Sequence, residues 1–252
     1  MASLADKAKA QGWTLDKAMN EANEAYKIKP EPIYKHLQAQ ITYAKGDFQK
    51  AYQEFEALTK TPMKNPELYL EMALCQENLK GNDDAILALL NQSIELCDTP
   101  YMDTSSPYFL ARANQLEKMG KYRDAMKDLY LYEYLNQGTL EADFYYMREQ
   151  IEIKGKLWQQ ALQDILIATK LNPAEPMYCA EASNLLLRLN KFEEAILAAK
   201  QAIALKDDYA EAYLVLGIAQ CKNNQKAEGI ANIEKAKNLG NPQADTFLNQ
   251  FK

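Results

Sequence analysis

The residues best equipped for chemistry in this 252-residue chain do not assemble into a reactive set. His36 is the only histidine, and no serine or cysteine stands near it in a nucleophile–base–orienter pattern. Cys75, Cys97, Cys179 and Cys221 are far apart, with no CxxC pair and no histidine partner, so they read as small buried apolar residues rather than a zinc site. Asp83 and Asp84 form an acid pair, but they follow Gly81-Asn82 and open an apolar-periodic run. Carboxylates there serve the positive end of a helix. The glycines at 46, 81, 120 and 155 fall between helical runs and form no phosphate loop. Arg112, Lys118, Lys154 and Arg188 are scattered candidates for acidic contacts and read as solvated. The chain is expected to be no enzyme and to carry no cofactor. What remains is binding chemistry, and amides suit it: each donates and accepts at once, which matches a peptide backbone.

The elements that would position such groups are helical and repeated. In Lys191 to Gly217, Ala195, Ala199 and Ala202 recur at i, i+4, i+7 and lie on one helical face. Trp158, Ala161, Ile165 and Ala168 repeat that layout, as do Phe48, Ala51, Phe55 and Leu58. The small residue opening each second helix recurs with a fixed step: Ala51 to Ala85, Ala161 to Ala195 and Ala195 to Gly229 each span 34 residues. The other steps are 33 from Ala18 to Ala51, 40 from Ala85 to Ala125, and 36 from Ala125 to Ala161. The stretched step contains residues 97–108, rich in Pro, Ser, Thr and Asp, which reads as a loop. Tyr132 stands where other units place a small residue, and Tyr122, Tyr132 and Tyr145 are core by register. Tyr130 and Tyr134 flank Tyr132 at two residues' distance and cannot share its face, so at least one must be exposed.

A helix–turn–helix unit of this period resembles the tetratricopeptide repeat. The segments carrying the resemblance are AKGDFQKAYQEF at 44–55, KMGKYRDAMKDL at 118–129, IKGKLWQQALQDILIATKLNP at 153–173 and RLNKFEEAILAAKQAIAL at 188–205. It implies an all-α fold: a right-handed superhelical solenoid of about seven hairpins in a single array over 1–252, with units at 1–31, 32–65, 66–99, 106–139, 142–175, 176–209 and 210–241. A capping helix over 242–252 would turn Phe247, Leu248 and Phe251 inward, as suits a natural C-terminus. A first helix around Ser3 to Gln11 reads as a worn terminal unit or the stub of an array that continues upstream.

The resemblance also implies a concave surface lined by the first helix of each unit, which takes extended peptides or partner helices. Midway along those helices stand Gln40, Leu74, Asn114, Gln150, Asn184 and Ile218, flanked by Tyr43, Tyr146 and Leu187. The expected peptide-binding groove is therefore Gln40, Tyr43, Asn114, Tyr146, Gln150, Asn184 and Leu187, centred on the fourth to sixth units. Glu67, Glu71 and Glu77 replace the basic cluster with which the family clamps a terminal carboxylate, so the expected partner is a neutral or basic protein segment. A docking or assembly segment of a larger complex is the alternative. The net charge of −6 opposes a nucleic-acid role, and no apolar run is long enough to span a bilayer. Unpaired cysteines favour a cytoplasm, with a periplasm open to a chain whose leader has been removed.

Overall fold

The computed structural model describes Gly12 and residues 14–97, 106–136 and 138–251. The expected helix at Ser3 to Gln11 and most of the 97–108 loop lie outside the described residues. Those described form fourteen helices and no strand. They fall into two compact units, Met1–Asn136 and Gln137–Lys252.

The first unit holds α1 (Leu15–Ile28), α2 (Pro32–Ala44), α3 (Phe48–Thr59), α4 (Pro66–Asn78), α5 (Asp83–Glu95), α6 (Ser106–Lys118) and α7 (Tyr122–Leu135). The second holds α8 (Ala142–Lys154), α9 (Trp158–Leu171), α10 (Pro176–Arg188), α11 (Phe192–Leu205), α12 (Ala210–Lys222), α13 (Lys226–Asn238) and α14 (Ala244–Phe251). Within each unit every helix packs on the next, and α10 also touches α12 directly. The pairs α2/α3, α4/α5, α6/α7, α8/α9, α10/α11 and α12/α13 are hairpins. Pro32, Pro66 and Pro176 begin first helices, where a missing N–H costs nothing. Side chains of Thr14, Asp47, Asn65 and Asn82 accept orphan amides at the starts of α1, α3, α4 and α5.

The repeated spacing is a packing rule. Ala51/Phe55/Leu58, Ala161/Ile165/Ala168, Ala195/Ala199/Ala202 and Gly229/Ile233/Ala236 are all buried. Sealing a side chain such as Phe55 or Ile165 contributes about 1.5–3 kcal/mol. The third unit departs from the expected register. Ala85 is exposed, and the buried triplet is Ile86/Leu90/Ser93, one residue later. The α4–α5 turn is the longer by one residue, running from Leu79 to Asn82, against Lys45 to Asp47 between α2 and α3. Asn82 caps α5 by accepting from the amides of Asp84 and Ala85, so Asp83 and Asp84 do occupy the first turn.

Each first helix closes in the same way. Two residues past its end comes a left-handed residue: Gly46, Lys80, Gly120, Lys156, Asn190 and Asn224. The next amide donates to the carbonyl five residues back, as Lys191 does to Leu186 at 2.8 Å and Leu157 to Glu152 at 2.8 Å. Gly240 does the same after α13. Thus the turns after α4 and α8 place Lys80 and Lys156 in the left-handed conformation, not the neighbouring Gly81 and Gly155.

In α7, Tyr130 is 45% and Tyr134 65% exposed, as the helical geometry requires. Tyr122, Tyr132 and Tyr145 are half-buried rather than sealed. In α14, Leu248 is buried and Phe247 and Phe251 are half-buried against α12 and α13. No helix of the described residues is long and apolar enough to cross a membrane.

Candidate functional site

Gln40, Tyr43 and Asn114 belong to the first unit; Tyr146, Gln150, Asn184 and Leu187 belong to the second. In the first unit, α2 and α4 share a polar network. His36 Nε2 lies 2.6 Å from Glu71 Oε2, and Gln40 Nε2 donates to Glu71 Oε1 at 2.6 Å. Burial alone would lower the imidazole's pKa, but hydrogen bonding to Glu71 and the charges of Glu71 and Glu67 outweigh it and leave His36 above its ordinary value. Burial raises the Glu71 carboxyl against the opposing pull of His36 and Gln40. Burial, reinforced by Glu71, pushes the Cys75 thiol up to about 12, so this cysteine is inert at neutral pH. Gln40 is therefore committed to an internal carboxylate. The Tyr43 hydroxyl accepts from Asn78 Nδ2 at 3.1 Å, and its ring meets Phe48 edge-on. Asn114 is exposed and lines a cavity of about 330 Å³ with Leu74, Glu77, Ala111 and Lys118.

The larger cavity, about 650 Å³, lies within the second unit. Three first helices line it: Gln150 and Ile153 from α8, Asn184 and Leu187 from α10, and Leu214 and Ile218 from α12, with Phe247 of α14 closing one side. Leu187 packs against the apolar clusters on both sides of α10. Tyr146 is not among the lining residues; its ring leans on Tyr178, 5.4 Å between centroids, and Tyr178 donates to Asp143 at 2.8 Å. Gln150 Nε2 donates to Glu149 Oε2 at 2.5 Å. The structure thus brings Gln150, Asn184 and Leu187 to one cavity, and Tyr146 is not part of its lining.

Several residues that read as solvated are engaged. Arg112 grips Asp128 with two hydrogen bonds of 2.8 Å and also donates to Asn91. Arg148 and Asp164 repeat this bidentate pair one unit later, almost fully buried. Lys118 pairs with Glu77, and Arg188 lies over the Trp158 ring, 4.4 Å from its centroid. The signal available in the sequence was the recurrence of Arg and Asp sixteen residues apart in two consecutive units. Glu149 was also missed. It occupies a 0%-exposed site equivalent to Ala39, Ala113, Ser183 and Gly217 in other units. Its Oε1 has no hydrogen-bond partner. Burial, then the charge of Glu181, raises its pKa to about 7 against the hydrogen bond from Gln150. Among the described residues no three His, Cys, Asp or Glu side chains gather as a metal site.

Residues 181–243 match the family model described as tetratricopeptide repeat. A search of curated proteins by sequence returns no match. Solved structures share the fold. YrrB, titled a TPR protein with an unusual peptide-binding site, aligns at a TM-score of 0.62 and 16% identity over 81% of this chain and 97% of its own. MamA aligns at 0.58 and 18% identity over 71% of this chain and 94% of its own. A tetratricopeptide repeat protein from Parabacteroides merdae aligns at 0.55 and 14% identity, over 97% of this chain and 94% of its own. The described residues thus share the helical-hairpin repeat fold of these structures, and residues 181–243 match the tetratricopeptide-repeat family directly.

Proposed function

We propose that this protein is a non-catalytic interaction scaffold that binds an extended segment of a partner protein against its first helices. The observation that carries the reading is the second unit's cavity, where three successive first helices set amides beside aliphatic and aromatic anchors. Amides suit a peptide backbone and the apolar floor suits side chains, the mixture that interface hot spots favour. The peptide-binding site for which YrrB is known as a TPR protein agrees with it. The single array over 1–252 and the first-unit residues Gln40, Tyr43 and Asn114 belong to the same proposal, with Asn114 the freest of the three to meet a ligand.

The test fills the cavity. Asn184→Trp places an indole at a half-buried lining position without touching the sealed core. A variant of unchanged helicity should lose the proteins that the wild-type chain captures from a lysate of the native organism, identified by mass spectrometry. Capture of the same set at the same level would refute the reading.

A further inference from the structure

The carboxylates of the two units differ in how they are neutralised. In the first unit Glu71 is held by His36 and Gln40, and Glu77 by Lys118. In the second, Glu181 and Glu211 both line the 650 Å³ cavity, and neither is in an ion pair. The amides beside them are neutral: Asn184 works against the rise of the Glu181 carboxyl, and Asn241 Nδ2 donates to Glu211 Oε2 at 2.9 Å. Behind Gln150 sits the sealed Glu149, whose Oε1 has no partner at all. Burial first, then the charge of Glu211, raises the Glu181 carboxyl, and Glu181 in turn raises Glu149. This is the electrostatic state of a site short of one positive charge.

The cavity's own cations do not supply it. Arg188 and Lys222 end α10 and α12, whereas Glu181 and Glu211 lie nearer the starts of those helices. The Arg188 guanidinium lies on Trp158 at 4.4 Å, and the Lys222 amino group is 6.0 Å from the Phe192 centroid. Between the two ends the floor is apolar, with Leu187, Leu214, Ile218 and Phe247 in one cluster. A long aliphatic stem ending in a cation fits a surface of this kind, because its methylenes cover apolar area while its charge meets carboxylates.

We propose that the second unit holds a seat for a lysine or arginine side chain of the bound segment, its charge at Glu181 and Glu211 and its stem on the apolar floor. The proposal rests on the peptide-binding reading above and adds which side chain the cavity selects. It replaces Glu71 and Glu77 of the first unit, whose charge is spent internally, as the source of any preference for basic partners.

A random peptide library displayed on phage tests it, with the full chain as bait beside Glu181→Gln/Glu211→Gln and Asn184→Trp. Peptides enriched by the wild-type chain should share a lysine or arginine at one fixed position. Norleucine there should weaken a synthetic peptide about tenfold or more. The double glutamine variant should bind the lysine and norleucine peptides equally, with helicity unchanged. Enrichment without a fixed basic position, or a lysine preference that survives in the double variant, overturns the cation seat and leaves the groove standing. No enrichment above the Asn184→Trp bait overturns both.

Discussion

Gly217 of α12 and Gly229 of α13 face each other where the two backbones leave no room for a side chain. A Cβ added to Gly229 would stand 2.6 Å from the Gly217 carbonyl oxygen and 2.4 Å from Cys221 Sγ. One added to Gly217 would stand 2.5 Å from the Gly229 carbonyl oxygen. At the equivalent position four other repeats bury an alanine, Ala51, Ala125, Ala161 and Ala195. Helix propensity favours Gly229→Ala by up to about 1 kcal/mol. Backbone contact this close outweighs it, and the substitution should cost about 1–3 kcal/mol net of that gain. Urea denaturation of the variant measures it; a midpoint at or above that of the wild-type chain would show that the hairpin can spread.

Lys156 is an exposed residue at φ 59, where an L side chain crowds its own backbone. Lys156→Gly should stabilise the α8/α9 hairpin by about 1 kcal/mol, because glycine reaches this conformation without that clash. Thermal unfolding reads the gain. A lower melting temperature would mean that the lysine makes a compensating contact.

Arg148 and Asp164 form a nearly sealed pair between α8 and α9. Arg148→Ala strands a buried carboxylate and should cost about 3–5 kcal/mol. The positions one repeat later are Ala182 and Ala198, so the site tolerates apolar residues. The double variant Arg148→Leu/Asp164→Leu should therefore cost less than Arg148→Ala alone. Chemical denaturation of the three variants gives the cycle, and a double variant as weak as the single one would rule out a mainly electrostatic penalty.

Glu149 predicts a pH dependence. Its pKa is raised from 4.5 to about 7 in the folded chain, so the fold binds its proton more tightly than the unfolded chain does. The sign follows: this contribution is fully present below about pH 4.5 and is lost as pH rises through about 7. The charged groups around it are Glu181 on α10 and Asp164 on α9, both acting in the same direction, with Gln150 opposing them. Glu149→Gln should stabilise the chain at pH 8, by on the order of 2 kcal/mol, and have little effect near pH 5. Equal stabilisation at both values, in denaturation at matched ionic strength, would show that Glu149 is ionised throughout.

The fold was legible because its signal is steric. A small residue followed by core residues four and seven positions later is what close helix crossing demands. Ala85 misled because Ala85 and Ile86 are both apolar, and an extra turn residue before them leaves the period almost unchanged. The turn glycines do fall between helices, but after α4 and α8 the left-handed conformation falls to the adjacent Lys80 and Lys156, which the sequence does not mark. The candidate site was legible only in part. First-helix register brought Gln150, Asn184 and Leu187 to one cavity, but it could not show that Gln40 and Gln150 are held by Glu71 and Glu149. Nor could it show that Arg112 reaches across its hairpin to Asp128. Those pairings depend on side-chain reach between helices, which repeat spacing does not encode.

The closure that ends each first helix also makes the chain a set of local clocks. The amides of Asp47, Gly81, Lys121, Leu157, Lys191 and Gln225 are each tied to a carbonyl of their own hairpin. Each exchanges its hydrogen with solvent only when that turn opens. Six amides therefore time six turns independently, and their exchange rates, read along the sequence, would give the order in which the array frays.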